Sequence, residues 1–135
     1  VTFVGRLRVA VGAPKDDVEA TDSSTTGSVQ LFMEVDEGGW QWETEVFPGN
    51  EARYGFFGSA IAAMEDQHIL IGAYQADWQG DLSGSVYVFA INSNGAWAEE
   101  SMLLSTDGQP GDQFGATLCY LGEDQLVVGT YTRGK

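Results

Sequence analysis

The stretch GSVYVF, residues 84–89, decides the fold because it occurs twice in the chain. Its earlier copy is GSVQLF at positions 27–32, so the two copies are separated by a repeat period of about 57 residues. Valine, tyrosine and phenylalanine favour strands, and the glycine that opens each copy marks a turn. The recurrence therefore predicts a strand that belongs to an internal repeat.

Further landmarks recur on both sides of this stretch at the same period. Those found again one period later are Phe57-Gly58 as Phe114-Gly115, Trp40 as Trp97, and LIGAY (70–74) as VVGTY (127–131). The earlier copy AVGAP (10–14) precedes LIGAY by a slightly longer interval, and the extra residues fall in a polar connection, where insertions are tolerated. The chain thus holds two full repeats of about 57–60 residues and part of another.

Each unit is predicted to contain four short strands, since β-rich runs alternate with turns of glycine, asparagine and aspartate. In the unit with the clearest pattern they cover 58–64, 68–74, 85–91 and 97–105. The second and third strands are apolar without alternation, which is typical of strands covered on both faces. Such sheets must be stacked, so the sequence predicts an all-β chain of antiparallel four-stranded propeller blades. A two-layer sandwich is the alternative, but it does not explain the repeat.

On this pattern the chain divides into a partial blade at 1–47, a full blade at 58–105 and the start of another at 114–135. The ordered landmarks resemble FG-GAP repeats, the blades of the integrin α-chain propeller. Phe57-Gly58 and Phe114-Gly115 look like the "FG", and Gly12-Ala13-Pro14 looks like the "GAP". The link DGQPGDQFG, residues 107–115, is most similar to FG-GAP repeats of bacterial and microbial-eukaryote surface proteins.

The resemblance implies a larger, seven-bladed propeller that presents loops to ligands. Seven units of this length need roughly 400 residues by the repeat arithmetic, against the 135 present. We therefore expect either a fragment of such a propeller, packed against the remaining blades of the same chain, or self-association of several copies. An isolated fragment is expected to leave apolar faces and unpaired strand edges open.

Charge and hydropathy limit the classes of partner that are expected for this chain. A formal net charge of −14 repels phosphate backbones, so nucleic-acid binding is not expected. No window is long and apolar enough for a membrane span, so this segment is not expected to insert into a membrane. The single cysteine, Cys119, permits no internal disulfide. Because it aligns with Ala62 on a first strand, we expect it to be a small buried side chain.

The connection after the second strand is the main candidate ligand-binding loop. Asp77, Trp78 and Asp81 lie in it, and the matching earlier loop contributes Asp16, Asp17 and Asp22. These aspartates suit either a solvated turn or a calcium site completed by backbone carbonyls. Trp78 is expected either to contact a ligand or to form a lid on the neighbouring blade.

Integrin-type blades bind calcium in the turn between the first and second strands. Here those turns, 64–68 and 122–125, offer two carboxylates each, too few for the six to eight oxygens that calcium takes. No cofactor is therefore expected, with calcium in the loops after the second strands as the alternative. No catalytic motif is present either, so the chain is not expected to be an enzyme.

These observations predict a noncatalytic ligand-binding or adhesion segment of an extracellular or cell-surface propeller protein. Its partner would be a protein or glycan bound on a rim of loops. Two alternatives are an accessory propeller of a larger secreted hydrolase and a purely structural repeat array. Fold alone does not choose among them.

Overall fold

The computed structural model describes residues 1–4, 8–16, 26–35, 38–49, 55–64 and 67–131. Within these residues the structure is all-β with antiparallel strands, as the repeat pattern predicts. The strands are β1 (Thr2–Phe3), β2 (Arg8–Ala13), β3 (Ser28–Val35), β4 (Gly39–Val46), β5 (Ala60–Met64), β6 (His68–Ala73), β7 (Ser85–Ile91), β8 (Trp97–Leu103), β9 (Thr117–Gly122) and β10 (Gln125–Gly129).

The strands form three sheets in chain order. The first sheet has the order β1-β2-β3-β4, and the second has the order β5-β6-β7-β8. The third sheet pairs β9 with β10. Sheets of four sequential antiparallel strands, repeated along the chain, are the blades of a propeller-type architecture.

The second sheet lies between the other two, so both of its apolar faces are buried. Ile69, Ile71 and Phe89 pack with Leu31 of the first sheet in one buried cluster. Leu70 and Val88 point to the opposite face and belong to a second cluster, which Leu126 and Val128 of the third sheet cover. Successive side chains of a strand face opposite ways, so the continuous apolar run serves two interfaces.

Glycines let the sheets approach each other closely. A Cβ atom on Gly72 would overlap the carbonyl oxygen of Gly115, and a Cβ on Gly12 would overlap that of Gly58. Gly12 and Gly72 hold the same repeat position, and so do Gly58 and Gly115. The "FG" and "GAP" landmarks therefore meet at each junction between neighbouring sheets, which explains why both recur.

The strand predictions for the second sheet are confirmed, with shorter ends. The third strand covers Ser85–Ile91 as predicted, and the others lose one or two residues at their ends. Ser59 leaves the first strand because its N–H donates to the Phe56 carbonyl, 3.1 Å away, in a turn. Residues 92–95, between the predicted third and fourth strands, form a turn in which the Gly95 N–H donates to the Asn92 carbonyl at 2.9 Å.

The expected burial of Cys119 is wrong. Its counterpart Ala62 is buried because the third sheet covers it, whereas Cys119 lies on the outward face of that third sheet and is exposed.

The predicted open apolar face is present on the first sheet, where Phe3 is 67% exposed and Trp42 is 57% exposed.

Over the part of the chain that the structure describes, no helix has the length and apolar character that crossing a membrane would need.

Candidate functional site: the loop rim

Strand pairing places the candidate loops at one end of the sheets. Ala73 pairs with Ser85, and Val86 pairs with Leu103, so β6 ends where β7 begins and β8 ends. The connections 55–59, 74–84 and 104–116 therefore lie together, and we call them the loop rim. The turns 92–96 and 123–124 lie at the other end, the opposite rim.

The connection between β6 and β7 is held by its own side chains. The Leu82 N–H donates to Asp77 Oδ1 at 2.7 Å, so Asp77 stabilises the turn. Ser83 is buried; its hydroxyl donates to the Ala76 carbonyl and accepts from the Gln79 N–H at 3.0 Å. The aspartate predicted as a ligand contact thus has a structural bond to the backbone.

Trp78 is hydrogen-bonded at one edge and partly exposed to solvent. Its indole N–H donates to the hydroxyl of Tyr87 at 3.2 Å, and Tyr87 is fully buried. The Trp78 side chain nevertheless remains 41% exposed. An aromatic side chain held in one orientation at the surface can meet a ligand without losing much conformational entropy.

The same connection is bonded to the link between β8 and β9. The Gln79 side-chain amide donates to the Ser105 carbonyl at 2.9 Å, and the Gly111 N–H donates to the Asp81 carbonyl at 2.8 Å. A Cβ on Gly80 would overlap the ring of Pro110, so the two loops touch directly. The β6–β7 connection and the link to the next repeat therefore form one continuous surface.

The remaining candidate aspartates are spread out. Asp81 is exposed at the tip of the β6–β7 connection. Asp16 accepts a hydrogen bond from the Ser28 hydroxyl at 2.9 Å in the earlier loop. Asp17 and Asp22 lie outside the described residues. Within the described ranges, no group of three or more His, Cys, Asp or Glu side chains is placed to hold a metal ion.

The loop rim also contains a cleft of about 320 Å³ that the aspartate pattern did not predict. Its lining residues are Ser59, Tyr74, Gln113, Ala116 and Tyr131. The available signal was the third residue of the "GAP" landmark. It is Pro14 in the first copy but tyrosine in the next two, Tyr74 and Tyr131.

Another groove, of about 380 Å³, lies near the opposite rim between the second and third sheets. His68 Nε2 is 3.4 Å from Glu100 Oε2 there. The same repeat positions in the first sheet hold Arg8 and Glu43, whose Nε and Oε2 atoms are 2.8 Å apart. The repeated cross-strand pair indicates a structural role for this part of the groove.

Comparison with protein families finds a match to the FG-GAP repeat over residues 40–89. This match spans β4 through most of β7, including the loop that carries Trp78. It confirms the resemblance drawn from the landmark residues. A comparison with curated protein sequences gives no significant match.

Proposed function

We propose that this chain, whose residues 40–89 match the FG-GAP repeat family, is a noncatalytic ligand-binding or adhesion segment of an extracellular or cell-surface propeller protein. The stacked sheets act as a rigid support, and the loop rim makes the contact with a protein or glycan ligand. Binding residues on loops held by a rigid scaffold are a common arrangement.

The observation that carries this proposal is that Trp78 is both exposed and hydrogen-bonded to the buried core. Large aromatic side chains at the centre of an interface often dominate its binding energy. Trp78 is 41% exposed, yet its indole N–H is bonded to a buried tyrosine. Its loop is also bonded to the 104–116 link, so little ordering entropy remains to be lost on binding.

Charge narrows the ligand class. The formal net charge of −14 disfavours strongly acidic partners and speeds encounter with basic ones. Raising the salt concentration should therefore weaken association with a basic protein but leave association with a neutral glycan nearly unchanged.

The test is a binding screen of the full chain against immobilised extracellular-matrix proteins and neutral glycans by surface plasmon resonance. We expect Trp78→Ala to weaken binding at least about thirtyfold, the effect of losing a hot-spot side chain. Trp42→Ala is the matched control, because Trp42 is an exposed tryptophan on the first sheet, away from the loop rim. Equal losses in both variants, or no binding to any member of the panel, would contradict the proposal.

A further inference from the structure

The cleft between Tyr74 and Tyr131 lies where a repeat position that holds an aromatic ring in the second repeat holds glutamine in the third. In the second repeat, Phe56 packs on Tyr74 with ring centroids 5.7 Å apart. The same positions in the third repeat hold Gln113 and Tyr131. Glutamine offers no ring to fill this space, and Tyr131 remains 70% exposed.

The backbone around the cleft is fixed on both sides. The Gln113 N–H donates to the Leu82 carbonyl at 3.0 Å, and the Tyr131 N–H donates to the Asp112 carbonyl at 2.9 Å. Close approach of Gly72 to Gly115 sets the distance between the two sheets just below the cleft. The opening is therefore part of the junction between the sheets.

Its lining residues are uncharged. Two tyrosines offer aromatic faces, and the serine, glutamine and tyrosine side chains can each donate and accept hydrogen bonds. A volume of about 320 Å³ is at the small end for ligand pockets, which suits one or two sugar rings. A cation would be better served by a carboxylate in the lining, and an anion would meet the field of a chain of charge −14.

We propose that this cleft binds a neutral saccharide. One apolar face of a sugar ring stacks on a tyrosine, while hydroxyl groups exchange hydrogen bonds with Gln113 and Ser59. The assignment rests on the proposed function, since it names a ligand class for the loop rim, but it places that ligand at a site separate from Trp78.

The experiment is an isothermal titration of the full chain with the neutral disaccharides maltose, cellobiose, lactose and N,N′-diacetylchitobiose. For at least one of them we expect a dissociation constant on the order of 1 mM. Gln113→Phe should weaken its binding at least about tenfold, because a ring at this position would pack on Tyr131, as Phe56 packs on Tyr74, and would fill the cleft. Phe56 has a φ of 52° and Gln113 a φ of 54°, so phenylalanine fits this backbone conformation.

Tyr131→Ala is the second variant and should also weaken binding at least about tenfold, since it removes one aromatic face at an exposed position where folding is little affected. Gln125→Phe is the matched control: Gln125 is exposed at the opposite end of β10, so the same substitution should leave binding unchanged. Thermal melting of each variant shows whether it folds.

The results separate this inference from the proposed function. Saccharide binding that survives Trp78→Ala but is lost in Gln113→Phe and Tyr131→Ala supports the inference. Absence of binding to all four disaccharides, or binding unaffected by both cleft variants, overturns it. Tighter binding of tetramethylammonium than of any disaccharide also overturns it. Protein or glycan binding that depends on Trp78 would still support the proposed function in those cases.

Discussion

The first and second sheets carry the same repeat positions but bury them to different extents. Ile69 and Phe89 of the second sheet face the first sheet and are buried. Their counterparts Val9 and Phe32 lie on the face of the first sheet that points away from the second, and they stay partly exposed. The repeat thus encodes a sheet with two apolar faces. The sheets that lie against it determine how much of each face is buried.

The largest expected difference in unfolding free energy is between two variants that each remove the phenylalanine ring at the same repeat position, one in the second sheet and one in the first. Phe89 packs edge-on against Phe57 with ring centroids 5.7 Å apart, so Phe89→Ala should cost about 4 kcal/mol of unfolding free energy. Phe32→Ala should cost no more than about half of that, because its side chain is partly in water before the change. Urea denaturation of both variants measures the difference. Equal losses would show that the two faces are buried alike.

A smaller loss of stability is expected from adding a methyl group at the glycine where two sheets approach each other most closely. Gly72→Ala forces a Cβ atom into the Gly115 carbonyl and should destabilise the chain by about 3 kcal/mol. Gly129→Ala is the matched control at the same repeat position. Its Cβ would meet the side chain of Thr117, which can rotate, so we expect a loss below about 1 kcal/mol. Thermal and urea melts give both values; the reverse order would refute the close contact.

The weakest effect is expected in solution assembly. The open face of the first sheet exposes Phe3 and Trp42, so we expect weak association between copies of the chain, with added salt favouring it by screening the charge of −14. Sedimentation velocity over a range of concentrations measures this. Trp42→Lys should reduce the association and Trp78→Lys should not. A single monomeric species at every concentration would mean that this face is not adhesive.

The sequence was sufficient for the sheets because each landmark repeats with its strand. Ser85–Ile91 matches its predicted bounds, and the glycines at the sheet junctions coincide with the "FG" and "GAP" positions. Burial was less predictable. Cys119 and Ala62 hold the same repeat position, but only the sheet that contains Ala62 is covered by another sheet on that face. An alignment of repeats gives positions within a blade but not the neighbours of that blade.

The site was only partly predictable for a similar reason. The sequence indicated the loop that carries Trp78, but the bonds from Asp77 to the backbone and from Trp78 to Tyr87 depend on the folded loop. The cleft was missed because it joins Tyr74 and Tyr131, which lie one full repeat apart in the sequence and meet only when the sheets stack. Repeat positions at which the residue type changes are where such sites should be sought.

The most direct test of the central claim, that the loop rim carries the binding surface, is NMR mapping of a panel ligand bound to the ¹⁵N-labelled chain. We predict that the largest amide shift changes fall in 74–84 and 109–116, with little change in the turns 92–96 and 123–124. Shift changes centred on the opposite rim, or on the open face of the first sheet, would contradict it.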